Sequence, residues 1–202
     1  MAASDKSLSF IPYRQDESSE HLRAVNRFSY WFVSLGGGAV LALGIAFWYL
    51  DFNLHSFIIV KPNNPLVLGI QRRYEYVSQL GVASGSVFLV SALAFLPLQI
   101  VGVFGLFRIY SRKILRRHLG KAFNPRQFLG VAIAISIYIL LYGVCLHFDI
   151  ASFGTESHAR DFIFSQPAYA FFFSMCCFVM SVCLMNIVAI SIKIMGGGKE
   201  SV

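Results

Sequence analysis

Histidine is the residue type in this chain with the widest cofactor chemistry, because imidazole ligates both haem iron and zinc. The 202-residue sequence has five histidines, all in connections or at the ends of apolar segments: His21, His55, His118, His147 and His158. A haem in a helix bundle needs histidines that face each other at depth, and only His147 lies near a span. The zinc-binding spacings Cys-x-x-Cys and His-Glu-x-x-His are also missing. The sequence therefore predicts no cofactor and no metal site.

Cysteine could supply nucleophilic or redox chemistry, and all four cysteines lie in the last two apolar segments: Cys145, Cys176, Cys177 and Cys183. Free cysteines in such segments typically behave as small apolar side chains. Cys145 lies near the outer end of the third segment, whereas Cys176 lies about 12 Å deep in the fourth at 1.5 Å per residue. This offset argues against a disulfide between them. The pattern favours buried thiols over a redox role.

Other catalytic patterns are missing from the sequence. It contains no Gly-x-Ser-x-Gly turn, no phosphate-binding loop and no clustered pair of carboxylates. Intramembrane ionisable residues mark proton and ion pathways, and the apolar segments hold none; their deepest polar residues, Gln99 and Asn186, are typical of contacts between helices. An intramembrane enzyme would have to use His147, Asp149 and His158 at the interface. We therefore predict a protein that is not an enzyme and not an ion-coupled transporter.

The elements that carry these residues are four apolar segments without Asp, Glu, Lys or Arg: 28–50, 80–107, 128–148 and 168–192. Each is long enough to cross a hydrocarbon core of about 30 Å as a helix. A composition of 56% hydrophobic and 13% charged residues excludes an ordinary soluble domain. The sequence predicts an all-α integral membrane protein with four transmembrane helices. Its membrane domain covers 28–192, between an N-terminal segment 1–27, in which a helix from about Glu17 could run into the first span, and a tail 193–202.

The distribution of basic residues predicts the orientation of the spans. Of the 17 Lys and Arg, thirteen lie in the N-terminal segment, the second connection and the C-terminal tail, and four lie in the other two connections. Lys and Arg near span ends are retained on the cytoplasmic side, so we predict that both termini are cytoplasmic. The net charge of +7 then reflects topology, and we predict no nucleic-acid partner. The sequence has no Asn-x-Ser/Thr acceptor, which favours a bacterial inner membrane.

Small residues recur at helical spacing in three of the spans. The second span contains Gly81-x-x-x-Gly85 and the third contains Gly130-x-x-x-Ala134. The first span has a small residue at every fourth position: Ser34, Gly38, Ala42 and Ala46. Smooth stripes of this kind let helix backbones approach closely in lipid. We predict that these residues pack helices together, with the partner helix in this chain or in another protein.

The second connection is strongly basic and has no acidic residue. Its candidate contact residues for anionic lipid headgroups are Arg108, Arg112, Lys113, Arg116, Arg117 and Lys121. Three of the arginines share one face if the second helix continues to Leu119, and each basic residue near the surface contributes about 1 kcal/mol of attraction to anionic lipid. Docking of an acidic cytoplasmic partner is the alternative, and nothing in the segment separates the two.

The first connection, 51–79, permits two conformations. A β-hairpin is one, because the β-branched run Ile58-Ile59-Val60 precedes a turn-rich centre with two prolines. The other is a helix with Asn64 as N-cap and Pro65 as its first residue, which would carry Arg72, Arg73 and Glu75 above the membrane and enter the second span. The helix is the preferred interpretation.

These observations predict a non-enzymatic role. The sequence has no extramembrane domain for an active site, no ionisable group at depth and several small-residue stripes. We expect a polytopic subunit or assembly factor of a larger membrane complex, of a transport, secretion or respiratory kind, whose partners are lipids and other transmembrane helices. The alternative is an oligomeric pore or facilitator for a neutral or apolar solute.

Overall fold

A computed structural model describes residues 15–50, 65–81, 83–110, 125–147 and 165–196. The helices in these ranges are α1 (Gln15–Tyr49), α2 (Pro65–Ser78), α3 (Ser84–Tyr110), α4 (Pro125–Tyr142) and α5 (Gln166–Gly196). A π-helical turn at Gly143–His147 extends α4. The described part of the chain contains helices and turns but no strand, which confirms the predicted all-α class.

Four stretches are long and apolar enough to cross a membrane: Leu22–Tyr49, Ser84–Tyr110, Leu129–Leu146 and Gln166–Ser191. They contain 18 to 28 residues, and 18 residues already extend about 27 Å as a helix. Large apolar side chains cover their outward faces, as lipid contact requires. These features confirm the prediction of an integral membrane protein with four candidate transmembrane helices.

Proline marks the start of three helices. Pro65 and Pro125 are the first residues of α2 and α4, and Pro167 is the second residue of α5. Proline suits this position because its fixed φ is helical and the missing N–H would have no partner there. The helix from Pro65 is thus confirmed, and the β-hairpin is wrong for the part of the connection that the structure describes. The predicted helix at the N-terminus is also confirmed, since α1 runs without a break from Gln15.

The second span begins later than predicted, at Ser84 instead of Leu80. A turn after Ser78 separates α2 from α3, and the backbone N–H of Ser84 donates to the carbonyl of Gly81 across 3.3 Å. Ala83 adopts a positive φ of 64°, which ends helical continuity between the two elements. The expectation that α2 runs directly into the second span is therefore wrong, and Gly81 lies in the turn.

Successive spanning helices run in alternating directions. The end of α1 meets the start of α3, where Gly44 faces the backbone of Val87. The starts of α3 and α5 lie side by side, because the rings of Phe88 and Tyr169 are 6.0 Å apart. Tyr169 also contacts Cys145 after the end of α4. We call this end of the bundle the α2 end, because α2 packs there against the start of α3.

The helices α1, α3 and α5 pack against one another and enclose the core, while α4 lies on the outside and packs mainly against α5. Aromatic rings fill much of the core. Neighbouring rings include Phe28, Phe32 and Phe178 in one group, and Phe95, Tyr142 and Phe173 in another. At the α2 end, α4 is joined to the bundle by α2 as well as by α5.

Candidate functional site

A buried arginine forms the centre of a polar cluster at the α2 end. The side chain of Arg73 is only 5% exposed. Its guanidinium donates hydrogen bonds to the carbonyl of Val144 and, at 3.5 Å, to that of Gly143. It also lies 5.9 Å from the centre of the Phe88 ring, within the range of a cation–π contact. Arg73 thus links α2 to α3 and to the π-helical turn.

The amphipathic face of α2 determines this position. Arg73 and Val77 are four residues apart, so they share a helix face, and both are buried. Gly85 of α3 lets this face approach, because a Cβ there would lie 3.0 Å from side-chain atoms of Tyr74 and Ser78. The sequence predicted Arg73 above the membrane with Arg72 and Glu75, and it did not predict that this side chain is buried. Its neighbours Arg72 and Glu75 are exposed.

Tyr169 completes the hydrogen bonding of the π-helical turn. Its hydroxyl donates to the carbonyl of Cys145 across 2.9 Å, and its ring is fully buried between Phe88 and Phe173. The last carbonyls of a helix lack partners within the helix, and leaving them unpaired away from water is costly. Side chains from α2 and α5 accordingly satisfy three consecutive carbonyls, those of residues 143–145. The positive charge of Arg73 also lies at the C-terminal end of α4, where the helix dipole is negative.

Two thiols lie in the same region. Cys145 of the π-helical turn and Cys176 of α5 belong to the same buried core cluster and are 1% and 2% exposed. Both are free thiols. The π-helical turn directs Cys145 against α5, where the hydrogen bond from Tyr169 holds it.

A second polar contact joins α3 and α5 within the bundle. Gln99, which is 4% exposed, donates from its amide nitrogen to the carbonyl of Cys177 across 3.1 Å. Ser181 donates to the same carbonyl across 2.8 Å and lies 3.5 Å from the amide oxygen of Gln99. Interhelical hydrogen bonds of this kind hold membrane helices together. The predicted role of Gln99 as a contact between helices agrees with this geometry, whereas Asn186 is exposed.

The small residues predicted to pack helices occupy different environments. Of the eight predicted residues, only Gly85 and Ala134 are buried. Gly81 is exposed in its turn, and Gly130 is exposed on α4, where an added Cβ would meet nothing within 4 Å. The stripe of the first span faces outward: Ser34 and Gly38 are half-buried, and Ala42 and Ala46 are exposed. The prediction that Gly81 and Gly85 form one helical stripe is wrong, because they lie on opposite sides of a helix start.

Other glycines make the close contacts inside the bundle. A Cβ at Gly44 would lie 2.6 Å from the Cα of Val87, and one at Gly102 would lie 2.2 Å from the hydroxyl oxygen of Ser181. Gly37 and Gly105 face the rings of Phe171 and Phe28 in the same way. The sequence pattern of small residues at every fourth position did not include these glycines. The seven-residue spacing of Gly37 and Gly44 is the one available signal, since it repeats one helix face.

The residues proposed for lipid contact and interfacial catalysis are mostly outside the described residues. Arg108 is exposed at the end of α3. Five further basic residues lie beyond the described ranges: Arg112, Lys113, Arg116, Arg117 and Lys121. So do Asp149 and His158, while His147 ends the π-helical turn. Among the residues that the structure describes, no three His, Cys, Asp or Glu side chains are grouped so that they could hold a metal ion.

Comparison with known proteins gives no relative: no protein-family model, no curated protein and no solved structure matches this chain. The interpretation of its surfaces therefore depends on their physical chemistry.

Proposed function

We propose that the protein is a non-enzymatic polytopic subunit or assembly factor of a larger membrane complex, of a transport, secretion or respiratory kind. The observation that supports this proposal is the uncovered small-residue stripe of α1. Its last two residues, Ala42 and Ala46, are exposed, and a Cβ at Gly38 would meet nothing within 4 Å. The bundle uses other glycines for its own close contacts, so this stripe is available to a helix of another protein.

The physical reason lies in the properties of lipid as a solvent. Lipid tails are as apolar as leucine, so association between membrane helices depends on close van der Waals packing. Large side chains at a helix surface prevent close backbone approach, and small ones permit it. Elsewhere the outward surface of α1 carries large residues, among them Trp31, Leu35 and Tyr49. The stripe therefore offers a shallow channel along the helix in which a partner helix gains contacts that lipid chains do not match.

We test the assembly proposal with Gly38→Leu. The free space at this position means that the isolated bundle should fold and insert normally. A leucine there forces a partner helix away, so we expect a loss of most of the co-purifying partner after solubilisation in mild detergent. Identification of the co-purifying proteins by mass spectrometry and comparison of their stoichiometry with wild type measure the effect.

Trp48→Leu is the control, because Trp48 is also exposed on α1 but lies about 100° around the helix from the middle of the stripe. It should leave the complex intact. Equal recovery of the partner with both variants would contradict the proposal. Recovery of a homo-oligomer alone would favour the alternative of a pore formed by several copies.

The proposed orientation places both termini in the cytoplasm of a bacterial cell, with the protein in the inner membrane. The alternating helix directions put the start of α1 and the end of α5 at the same end of the bundle. Three exposed arginines of the described residues also lie toward this end, where anionic headgroups would attract them: Arg23, Arg27 and Arg108. The α2 end then faces the opposite side of the membrane.

Reporter fusions test this orientation. A reporter that is active only in the cytoplasm should work after Val202 and within 112–121, because the basic residues of these segments are retained there. The same reporter should be inactive when it is inserted at Asn63. Cytoplasmic activity at Asn63 would contradict the proposed topology.

A further inference from the structure

Three helices of the core meet at Gly36 of α1. A Cβ at this position would lie 3.2 Å from a methyl carbon of Leu98 in α3 and 3.3 Å from the hydroxyl oxygen of Ser174 in α5. We call the place where these three residues meet the triple contact. Side chains of α3 and α5 occupy the space that the glycine leaves open there. A change in the path of any one of the three helices at this level therefore affects the other two.

The helix α1 is weakest at the triple contact, because Gly36 is the first of three consecutive glycines. Glycine lowers helix stability, since its backbone loses the most freedom on ordering. Gly37 is buried against the ring of Phe171, so packing requires a glycine at that position. At Gly38, in contrast, a Cβ would meet no atom within 4 Å. Packing inside the bundle therefore does not explain why the run continues to a third glycine.

The helix α3 is weakened next to the same contact by Pro97, which lies inside the helix directly before Leu98. Proline has no backbone N–H, so the carbonyl of Leu93, four residues earlier, lacks its helical hydrogen bond. Proline is also a common cause of bends in long helices. The side chain of Pro97 is exposed, so packing does not require a proline there. Two neighbouring helices thus resist bending least at one level of the bundle.

The hydroxyl of Ser174 is the third unusual feature of the triple contact. The side chain is completely buried, and its oxygen has no hydrogen-bond partner within the part of the chain that the structure describes. Two other buried serines, Ser91 and Ser181, each donate across 2.8 Å to the carbonyl four residues earlier in their own helix. The oxygen of Ser174 lies beside Gly36 instead. Because an unsatisfied buried hydroxyl is costly, a state in which it finds an acceptor gains stability.

We propose that the triple contact is a shared hinge, at which α1 and α3 bend together and the hydroxyl of Ser174 donates to α1 in the bent state. Bending of α1 at its glycines opens the hydrogen bonds from their N–H groups to the carbonyls one turn earlier. A helical side chain normally covers that turn, and Gly36 leaves it uncovered. Ser174 lies beside this turn and can donate to a carbonyl that the bend releases. Serine from a neighbouring helix is one of the groups that make helix breaks tolerable in membranes.

The two bends are coupled through Leu98. This residue follows Pro97, and one of its methyl carbons occupies the space beside Gly36. A bend of α3 at Pro97 therefore moves the Leu98 side chain relative to α1, and α1 accommodates it most easily at the glycines. The halves of the bundle on either side of the triple contact then tilt against each other. This motion is a property of the single chain and does not depend on the partner of the proposed complex.

Amide hydrogen exchange of the full chain in mild detergent tests the hinge, because exchange within a buried helix requires its hydrogen bonds to open. Gly38→Ala should raise the protection factors of the amides of 36–40 by about fivefold, as the higher helix propensity of alanine predicts. Gly130→Ala in α4 is the matched control, since its added Cβ also meets nothing within 4 Å. It should leave these amides unchanged. Equal protection of 36–40 in the two variants would overturn the proposal.

Two changes in other helices distinguish a shared hinge from a local effect in α1. Pro97→Ala restores an N–H to α3, and Ser174→Ala removes the donor that the bent state uses. Each should raise the protection factors of the amides of 36–38 by about two- to tenfold, the range expected for one ordinary hydrogen bond. Unchanged protection of α1 with Pro97→Ala would show that the helices bend independently, and unchanged or lower protection with Ser174→Ala would show that the hydroxyl does not support the bend. Either result would overturn the shared hinge and leave the assembly proposal standing, because that proposal is measured by partner recovery with Gly38→Leu.

Discussion

Replacement of Gly44 by alanine is expected to lower the free energy of unfolding of the bundle by about 1–3 kcal/mol, the usual cost of overpacking a close contact. The added Cβ would lie 2.6 Å from both the Cα and a methyl carbon of Val87. The Cα cannot rotate away as a flexible side chain can. The helices α1 and α3 therefore have to separate, and the dispersion contacts along their interface weaken.

Gly38→Ala is the matched control for this experiment. It makes the same chemical change in the same helix, but a Cβ at Gly38 meets no atom within 4 Å. Alanine also has the higher helix propensity, so this variant should be neutral or slightly stabilising. Unfolding in mixed micelles, followed by circular dichroism, measures both variants. Equal unfolding free energies for the two variants would show that α1 and α3 do not meet closely at Gly44.

The contrast between Gly44 and Gly38 also indicates what the sequence could predict. The four spans were predictable because an uncharged apolar run long enough to cross lipid has few other stable conformations. The start of α2 at Pro65 was predictable from local residue chemistry. The face on which a helix packs was not, since a four-residue spacing of small side chains identifies a smooth surface without indicating what lies opposite it. Gly44 and Gly102 are recognised only once Val87 and Ser181 are placed against them.

The same reasoning applies to the cluster at the α2 end. The burial of Arg73 was not predicted, because the sequence shows only a charged residue on a helix in a connection. Its actual position depends on carbonyls about 70 residues later in the chain, at the end of α4. The carbonyls of Gly143 and Val144 need hydrogen-bond donors from the protein only when α2 covers the end of α4. Likewise, the hydrogen bond from Tyr169 to the carbonyl of Cys145 depends on the π-helical turn, which the sequence did not predict.

The second large effect is expected for Arg73→Ala, which should destabilise the protein by about 2–4 kcal/mol. The change removes the donors to the carbonyls of Gly143 and Val144, and an unsatisfied buried polar group costs about 1–3 kcal/mol. It also removes the contact of the guanidinium with the Phe88 ring. Water has limited access to this region, so the carbonyls find no ready replacement. The unfolding free energy in mixed micelles measures the loss.

Arg72→Ala provides a control that changes the same residue type one position away. Arg72 is exposed on α2, so its removal should alter the unfolding free energy by no more than about 0.5 kcal/mol. A local measurement distinguishes the loss of the hydrogen bonds from Arg73 to the end of α4 from a general destabilisation of the bundle. Without Arg73 the π-helical turn should open first, and Cys145 should react with a maleimide faster than Cys183, which lies elsewhere on α5. Arg73→Ala with wild-type stability and slow labelling of Cys145 would mean that the end of α4 does not depend on this arginine.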